Sequence, residues 1–568
     1  KSVNTDPSNH SAHRLLADSY ASQPRHEIAR VSELLQSQLL QPLNMTSIQP
    51  RLGEASLFLL SSQGPASQSF NEFNPMFSRD GMTVQASGLL GEDDTAAGEA
   101  VVSGIKNRLS FSAGYSGYTS DGYRDNNDQD DDIVTFFGQY ALSPETSFQG
   151  EVRKRDLNNG DLELRFLEDE FSRFLDEDYE NTSTRLGVRH AFSPNWIVLA
   201  SYLHADQDST LNERIPDPDL GNFLFDVDVD EKGDSGEMQH IFRWRSTGAL
   251  QAWIPRVDVQ VGGGHTAVDV DETVTTGFEA FPPLEVANRS PDVKHSNVYL
   301  YSNTGLPLDL TLTLGVSGDF FEEDDGVGDE NQVNPKAGLT WNPSFSPGTT
   351  VRAAAFRVLK RKLLTQQTLE PTQVAGFNQF YDDLNATDAW RYGAALDQKF
   401  TDAVFGGVEL SKRDMEVPSV LISGSDIDVQ KNDWDEYLAR TYLFFTPHEW
   451  VSARVEYEYE KMERDPDAFA AFDHVETHRV PFGLQVFHPS GLSWSAGATY
   501  LYQDGKFLRN SDFTFQSGDR DFWILDSGVR YRLPRRYGFV SFGVNNFLDE
   551  DSSYQATDVR NPTLRPGM

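Results

Sequence analysis

The side chains most able to do chemistry in this sequence are carboxylates grouped in short runs. The run DNNDQDDD occupies residues 125–132, and further acidic runs lie at residues 168–180 and 322–330. Carboxylate oxygens suit Ca²⁺, although none of these runs has the full spacing of an EF-hand loop. The runs therefore predict either solvated loops or loops that bind divalent cations such as Ca²⁺. The metal-binding candidates are Asp125, Asp128, Asp130 and Asp132.

Motifs for catalysis are missing from the sequence. It contains no G-x-S-x-G, no H-E-x-x-H, no P-loop and no cysteine. His474 and His478 lie on a predicted strand, whose geometry holds them too far apart to share a metal easily. The run Gly262–Gly264 is not followed by a helical pattern, so it indicates a kink in a strand rather than a phosphate cradle. We predict no enzymatic activity and no organic cofactor.

Charge and composition exclude several classes of protein. The net charge of −39, from 87 acidic and 48 basic residues, repels nucleic acids, so no nucleic-acid partner is expected. No run of eighteen apolar residues exists, which excludes a helical transmembrane protein. Aromatic residues make up 12% of the chain and glycines number 43, as suits the aromatic girdles and curved strands of a barrel. The absence of cysteine fits a chain that crosses an oxidising periplasm.

The elements that must position the charged residues are predicted to be strands. From about Gly81 onward apolar and polar residues alternate, as on the two faces of a β-strand. The alternation is clear at residues 308–320, 451–460, 492–503 and 523–533. These segments exceed the usual 5–6 residues or so of a strand and match the roughly 9–11 that cross a bilayer at a tilt. The sequence predicts an all-β transmembrane barrel.

Short turns alternate with long, acidic connections along the predicted barrel. Pro or Gly marks the short turns, as at Ser193-Pro194, and aromatic residues flank them at the expected headgroup level. This alternation is typical of Gram-negative outer-membrane barrels and gives about 20–22 antiparallel strands. We expect contacts with outer-membrane lipid and lipopolysaccharide, whose phosphates divalent cations could bridge to the acidic loops. The long connections are expected at residues 121–132, 156–180, 208–234, 269–289, 360–387, 416–433 and 463–473.

Charged residues on the polar faces of these strands are expected to line the barrel interior. A water-filled lumen tolerates charges that a lipid-facing surface does not. Opposite charges there would either pair as scaffolding of the wall or line a conducting or polymer-guiding channel. The candidates are Arg153, Arg155, Asp309, Asp319, Arg454, Glu456, Asp526, Arg530 and Arg532.

The region before the barrel has a helical pattern. Residues 1–44 include Leu16, Ala17 and Tyr20 and a second helical stretch ending at Pro42, and they resemble one tetratricopeptide unit. One unit cannot bury its own apolar face, so it should pack against something else, and a periplasmic or surface protein partner could meet it or the acidic loops. Residues 45–80 are predicted to be a linker or lumen-contacting segment, and residues 81–568 the barrel. No signal peptide is visible, so we expect a longer precursor.

Two stretches resemble the barrel domain of TonB-dependent receptors. NPKAGLTWNPSFSPGTTVRAAAF at residues 334–356 is similar to a hairpin of that family. GVNNFLD at residues 543–549 is similar to its V-x-N-L-F-D, with Phe547 and Leu548 in swapped order. The resemblance covers residues 81–568 and implies up to 22 strands, the last of which would follow Met568. The family also carries an N-terminal plug, where this sequence shows a helical pattern.

Three functions are compatible with the sequence. The polar lumen and the helical N-terminus favour an outer-membrane channel or transporter with a continuous pore, moving a solute or a polymer. In their layout, a helical repeat followed by a barrel, these features are similar to polysaccharide-export porins. The alternatives are a plug-less barrel that anchors an assembly scaffold, and a TonB-dependent uptake receptor if a plug lies upstream of Lys1.

Overall fold

The architecture was obtained as a computed structural model. It describes residues 35–43, 77, 79–548 and 553–557, apart from positions 37, 218–219, 282–284, 325–327, 381–382, 424–425, 466–471, 510–513, 537 and 556. Among these residues no helix has the length and apolarity needed to cross a membrane.

The described residues form one antiparallel sheet of 22 strands and a separate two-stranded hairpin. The large sheet contains all strands except β15 and β16. The strands are β1 (Gly81–Leu90), β2 (Ala96–Lys106), β3 (Leu109–Ser120), β4 (Gln129–Ala141), β5 (Thr146–Asn159), β6 (Asp176–Ser193), β7 (Trp196–Asp217), β8 (Gly221–Arg245), β9 (Arg256–Phe278), β10 (Glu285–Arg289), β11 (Asp292–Leu306), β12 (Leu310–Glu323), β13 (Glu330–Trp341), β14 (Thr349–Leu359), β15 (Gln373–Val374), β16 (Phe377–Asn378), β17 (Asp388–Lys399), β18 (Val404–Ser423), β19 (Asp426–His448), β20 (Val451–Arg464), β21 (Phe472–Phe487), β22 (Leu492–Arg509), β23 (Thr514–Arg532) and β24 (Phe539–Val544). Short 3-10 turns lie at Glu168–Glu170, Gly248–Ala252, Pro307–Asp309, Leu364–Gln366 and Pro534–Arg536.

Strand neighbours follow chain order, as in an up-and-down barrel. Apart from β10 and the β15–β16 hairpin, each strand of the large sheet pairs with the one that follows it, and β14 pairs directly with β17. Strands β10 and β11 both pair with β9 and are separated by Ser290-Pro291. Proline lacks the N–H that a ladder needs, which explains the interruption. In the described part of the chain β1 pairs only with β2, and β24 only with β23.

The two faces of the sheet have the polarity of a membrane barrel. On β4 the side chains of Asp131, Thr135 and Gln139 are buried, whereas those of Val134 and Phe136 are each 53% exposed. Large apolar side chains are therefore exposed on the outer face while polar ones are buried on the inner face. This arrangement would be unfavourable in water, but it is stable when lipid covers the outer face.

Aromatic girdles border the apolar band on the outer face. Phe192 and Trp196 stack at 4.3 Å beside a short turn, and Tyr500 lies 5.2 Å from Trp523 toward the other end. The part of β22 between Trp494 and Tyr502 spans about 20 Å along the barrel axis, given about 3.4 Å per residue and a tilt of about 40°. That height is close to the apolar band of roughly 25 Å in outer-membrane barrels.

Several connections predicted to be irregular are strands instead. Residues 208–217 continue β7 and residues 221–234 continue β8, paired in register from Asp208↔Asp230 to Asp217↔Gly221. Strands β9, β18 and β19 likewise run through segments predicted to be loops. Antiparallel pairing does not end at the membrane surface, because water can satisfy the outer edges while the ladder bonds continue.

The turn at Pro307–Asp309 corrects one assignment. Strand β12 begins at Leu310, so Asp309 lies in an exposed turn with φ 58° and is not a lumen-lining residue. The indole Nε1 of Trp341 donates a hydrogen bond of 3.1 Å to the carbonyl oxygen of Leu308. Because of this turn, β12 begins two residues later than the sequence pattern predicts.

A tetratricopeptide-like unit over residues 1–44 is not supported. Most of that stretch lies outside the described residues, and of the rest only residues 35–36 and 38–40 are helical. Leu35, Leu39 and Leu40 are buried against the inner wall of the barrel instead of a second helix. The helical periodicity correctly indicates this short helical piece, but its apolar side chains pack against the sheet. Residues 45–76 also lie outside the described residues.

Candidate functional site in the barrel interior

Four segments of the chain occupy the barrel interior. They are the N-terminal lumen segment (residues 35–43), the 160–175 loop, the lumen loop (residues 360–387) and residues 553–557. The 160–175 loop follows β5, yet Phe166 stacks on Phe507 of β22 at 3.9 Å. Strands far apart in the sheet contact the same segment, so the sheet wraps around these segments. Over the described residues, four segments of the chain therefore lie in the space that the predicted continuous pore would need.

The lumen loop joins β14 to β17 and descends along the inner wall. Its base is closed by two backbone hydrogen bonds, Lys360 N–H to Thr387 O at 2.8 Å and Ala386 N–H to Lys360 O at 2.7 Å. The hairpin β15–β16 lies further in, near Gly338, which is three residues from the short-turn end of β13. The loop therefore extends from the long-loop end of the barrel almost to the short-turn end.

Glu370 anchors this loop to the wall. Its carboxylate accepts hydrogen bonds from the Tyr301 hydroxyl at 2.6 Å and from Asn297 Nδ2 at 3.0 Å. Arg361 Nη2 lies 3.2 Å and Lys336 Nζ 4.0 Å from the same carboxylate. All five side chains are buried. A buried carboxylate with two cations and two neutral donors is compensated, and removing it would break its ion pairs with both cations, leaving Asp319 to interact with them.

A second anchor holds the far side of the loop. Asp383 forms a buried ion pair with Arg413 of β18, and Arg413 Nη1 also donates to Glu436 of β19 at 2.7 Å. The guanidinium carbons of Arg391 and Arg413 lie 4.1 and 4.7 Å from the ring centroid of Phe380. Cation–π contacts of this kind are strengthened by desolvation. The loop is thus fixed on both sides of the lumen.

The N-terminal lumen segment is fixed at the short-turn end. Gln38 Nε2 donates to Glu151 at 2.8 Å, and its Oε1 accepts from Arg185 at 2.9 Å. Gln41 Nε2 donates to Gln139 at 3.1 Å. All of these groups are buried. The polar side chains of the segment therefore hydrogen-bond to buried polar groups of the inner wall, and its leucines pack against apolar residues of that wall.

The N-terminal lumen segment and the lumen loop meet at one apolar junction. Leu369 of the lumen loop lies in a buried cluster with Leu35, Leu39 and Leu40 of the N-terminal lumen segment; Ile197, Leu199 and Ile241 of β7 and β8 complete it. Gln239 of β8 bridges the segments, accepting from Gln36 Nε2 at 2.7 Å and donating to Leu369 O at 2.6 Å. Packing and hydrogen bonding therefore join the segments to one another as well as to the wall.

Glycines of the inner wall make room for the occupying segments. At five of them an added Cβ would approach a side chain of a lumen segment closer than 3.0 Å. Because glycine is the residue that permits such close backbone approach, these positions fit an occupied interior. The contacts are Gly187 with Leu39, Gly233 with Leu364, Gly338 with Ala375, Gly393 with Phe377, and Gly518 with Phe166.

The remaining two segments pack together near β22 and β23. Tyr554 is buried with Leu164, Leu501, Phe522 and Ile524. Gln555 Nε2 donates to the Glu163 carboxylate at 3.2 Å, and Arg165 lies 2.9 Å from that carboxylate. Burial raises the pKa of Glu163 above its ordinary value, and the Arg165 charge only partly opposes this shift.

Most of the sequence-derived lining residues lie on the inner face. Arg155 pairs with Asp131 at 2.8 Å, Arg153 shares its face, and Asp526 is buried. Asp319 accepts from Asn334 at 2.6 Å and faces His295 at 3.0 Å. Arg454 Nη1 lies 3.9 Å from Glu456, whose carboxylate also pairs with Arg440. Arg530 and Arg532 share the face of Asp526 but are exposed at the end of β23, where Arg530 lies over Phe539.

The metal-binding candidates are not brought together. Asp125 and Asp128 lie before β4, and Asp130 and Asp132 point outward from that strand. Asp132 accepts a hydrogen bond of 2.5 Å from the Tyr115 hydroxyl. Within the described residues no group of three or more metal-ligating side chains is arranged to hold an ion.

The lumen loop carries the site residues that the sequence reasoning missed. A signal was present, because residues 360–387 contain three acidic and three basic residues, whereas the other long connections are acidic. They also include Leu364, Leu369, Val374 and Phe377, all buried in the structure. A long connection with balanced charge and many apolar residues is a poor candidate for a solvated loop.

Comparison with known proteins gives one family and several solved structures. The family described as "TonB dependent receptor-like, beta-barrel" matches residues 105–547. The copper transporter OprC is 14% identical with a TM-score of 0.64, covering 87% of this chain and 77% of its own. The ferripyoverdine receptor of Pseudomonas aeruginosa is 11% identical with a TM-score of 0.62, and the match covers 84% of this chain and 68% of the receptor. The ferric-catecholate receptor Fiu of E. coli K12 is 14% identical with a TM-score of 0.60, and the match covers 86% of this chain and 81% of that receptor. At these identities the likeness shows the fold alone. No curated protein matches the chain in sequence.

Proposed function

Because this chain belongs to the TonB-dependent receptor-like β-barrel family, we propose that it is a gated transporter whose own segments close the lumen at rest. Members of the family are transporters of the Gram-negative outer membrane, and this chain is an outer-membrane protein of that kind. In such barrels the short turns face the periplasm and the long connections face the outside.

The filled interior is the observation that carries the proposal. The N-terminal lumen segment closes the periplasmic half beside β5 to β8, and the lumen loop crosses from β8 to β18. Buried ion pairs and apolar clusters, rather than isolated contacts, hold both segments. A pore for free diffusion or for polymer export would need this space to be empty.

The position of the N-terminal lumen segment supports uptake driven from the periplasm. The N-terminal lumen segment lies at the periplasmic end, so a pull on the chain before residue 35 would act first on its contacts with Gln139 and Glu151. We propose an energising partner of the TonB type at that end. The solved relatives are described with ferripyoverdine, ferric citrate or copper, and a small solute or metal complex is the cargo class that we propose here.

Single-channel recording in a planar bilayer tests the proposal. The purified chain is expected to show no steady conductance, because the lumen is occupied. Addition of about 4 M urea to one chamber should produce large, reversible steps if the segments are the closure, since denaturant weakens docked segments before it unfolds a barrel wall. Steady ohmic steps of the untreated protein would overturn the proposal in favour of a diffusion channel.

The outward carboxylates support a proposal about the surrounding lipid. Asp130 and Asp132 point outward on β4, and Asp132 is bonded to Tyr115 of the outer-face aromatics. We propose that divalent cations bridge such carboxylates to lipopolysaccharide phosphates. Co-purified lipopolysaccharide should fall on chelation with EDTA in the native chain, and fall less in Asp130→Asn/Asp132→Asn. Equal retention in both proteins with and without EDTA would refute this bridge.

A further inference from the structure

The lumen loop has the construction of a hinged gate. Its base is tied by the hydrogen bonds between Lys360, Ala386 and Thr387. Strands β14 and β17 pair with each other directly below that base, from Leu359↔Asp388 to Thr349↔Gln398. The whole loop can therefore leave the lumen without breaking a single pair of the barrel wall. Its hinge lies at the extracellular end, opposite the N-terminal lumen segment.

The inner end of this gate rests on the N-terminal lumen segment. Leu369 is 1% exposed, and three of its six cluster partners belong to that segment. Gln239 holds the backbone of Leu369 while accepting from Gln36. Withdrawal of the segment would open one side of the Leu369 pocket to water and take a donor from Gln239. Burial of an apolar side chain is favourable only while both walls of its pocket are present.

The junction is adjacent in sequence to the main anchor of the gate. Glu370 follows Leu369, and its carboxylate holds Tyr301, Asn297 and Arg361 at 2.6 to 3.2 Å. Backbone displacement at Leu369 therefore moves the Glu370 carboxylate out of a geometry that charge-assisted bonds require. We infer that the lumen loop is a second gate, released when the N-terminal lumen segment is withdrawn, so that the pore opens in two coupled steps. The inference rests on the proposed function and describes its regulation.

Single cysteines can report on each gate separately, because the chain has no cysteine of its own. Val374→Cys reports on the lumen loop and Leu40→Cys on the N-terminal lumen segment; both positions are buried. Gly187→Leu on the inner wall displaces the segment, since even a Cβ there would collide with Leu39. Gly236→Leu is the control: Gly236 lies on the outer face of β8, away from the lumen segments, and a Cβ there meets nothing within 4 Å. The readout is the rate of maleimide labelling of the folded, purified full chain.

Coupling predicts that Gly187→Leu speeds labelling of both reporters by roughly tenfold or more, as expected for local opening, while Gly236→Leu changes neither. Leu369→Ala should also expose Val374→Cys, and adding Gly187→Leu to it should bring little further increase, because both act through one junction. Faster labelling at Leu40→Cys alone would show that the gates are independent and overturn the inference. Unchanged labelling at both reporters would also contradict the inference, because it would mean that Leu39 is not held against Gly187 in the folded chain. A protein that conducts at rest but shows coupled labelling would refute the proposed function and leave the coupling intact.

Discussion

At the scale of single residues, the interior is held by buried charges that pair with cations or polar side chains. Inside the barrel, Glu370 pairs with Arg361 of the lumen loop and Asp383 with Arg413 of the wall. The carboxylate of Glu151 accepts a hydrogen bond from Gln38 of the N-terminal lumen segment. Such pairs contribute little compared with an apolar core of the same shape, but breaking one of them is costly. Their value here is specificity, because each carboxylate fits one position of one occupying segment.

Replacing Glu370 by glutamine should loosen the lumen loop. Arg361 and Lys336 would lose their buried ion pairs with Glu370, for which broken buried pairs set an upper limit of about 5 kcal/mol, because Asp319 still interacts with both cations. We expect conductance steps in the planar bilayer and a lower denaturant midpoint for the loop. Asp230→Asn, which removes an exposed pair with Lys232, is the control and should change stability by about 1 kcal/mol or less. A silent Glu370→Gln barrel with unchanged stability would contradict this role.

The 160–175 loop should dock more weakly as pH rises. Burial raises the pKa of Glu163 in the folded chain, so the folded state binds the proton more tightly than the unfolded state. The stabilisation from this group is full below the ordinary glutamate pKa of about 4.3 and is lost as pH rises through the folded value. Hydrogen exchange of residues 160–175, corrected for intrinsic rates, should quicken across that range. Glu163→Gln should flatten the dependence, and an identical profile in both proteins would exclude Glu163 as its source.

At the scale of elements, the outer and inner faces of each strand obey different rules. The outer face carries apolar residues between aromatic girdles, and the inner face carries polar residues and the glycines that admit the occupying segments. Beyond the girdles the same strands continue as hairpins in water, where β7 and β8 place Asp208 opposite Asp230. Like charges directly opposite are tolerated only where water screens them.

An arginine on the outer face should therefore be costly within the band and harmless beyond it. Phe136→Arg places a charge at the lipid-facing surface of β4, where the expected cost is about 2–4 kcal/mol at mid-depth. Asn212→Arg on the projecting part of β7 should lie within about 0.5 kcal/mol of the native chain. Folding yields and urea midpoints in lipid vesicles measure both. Equal midpoints for the two variants would mean that β4 does not cross the bilayer at Phe136.

At the scale of the whole molecule, closure and wall are separable. The wall is one sheet paired in chain order, whereas the closure consists of segments that return to its interior from both ends of the chain and from two connections. Because the wall pairs β14 with β17 directly, the closure can change without altering the barrel. This separation lets a transporter open while its membrane-spanning part stays rigid.

Replacing residues 362–385 by a short Gly-Ser turn should open the barrel without unfolding it. The retained base at Lys360 and Thr387 and the β14–β17 ladder keep the wall intact, and a shorter loop has a smaller closure entropy. We expect steady conductance from a protein with native strand content by circular dichroism. Shortening the exposed turn at Gly248–Ala252 is the control and should leave the barrel silent. A silent lumen-loop variant would show that the other three segments suffice for closure.

The sequence by itself determined the wall of this protein. Period-two alternation predicted strands at 308–320, 451–460, 492–503 and 523–533. The structure confirms them as parts of β12, β20, β22 and β23, except that β12 begins at Leu310 and β23 ends at Arg532. The resemblance at residues 334–356 falls on the hairpin of β13 and β14, and the family is shown by residues 105–547. Side-chain alternation can be read from consecutive residues alone. Every strand of the wall shows it, because one face of each strand meets lipid and the other meets the polar interior.

Only the tertiary structure decided what fills the wall. The balanced charge of residues 360–387 argues against a solvated loop, but neither that segment nor residues 35–43 shows which surface it packs against. Their partners lie far away in sequence: Leu369 shares a buried cluster with Leu39, and Gln38 donates to Glu151. Asp309 failed as a lining residue for a similar reason, since one turn shifted the start of β12. Segments of the chain lie in the lumen that the sequence predicted to be an open pore, because burial of a loop depends on a complementary surface that only the folded barrel provides.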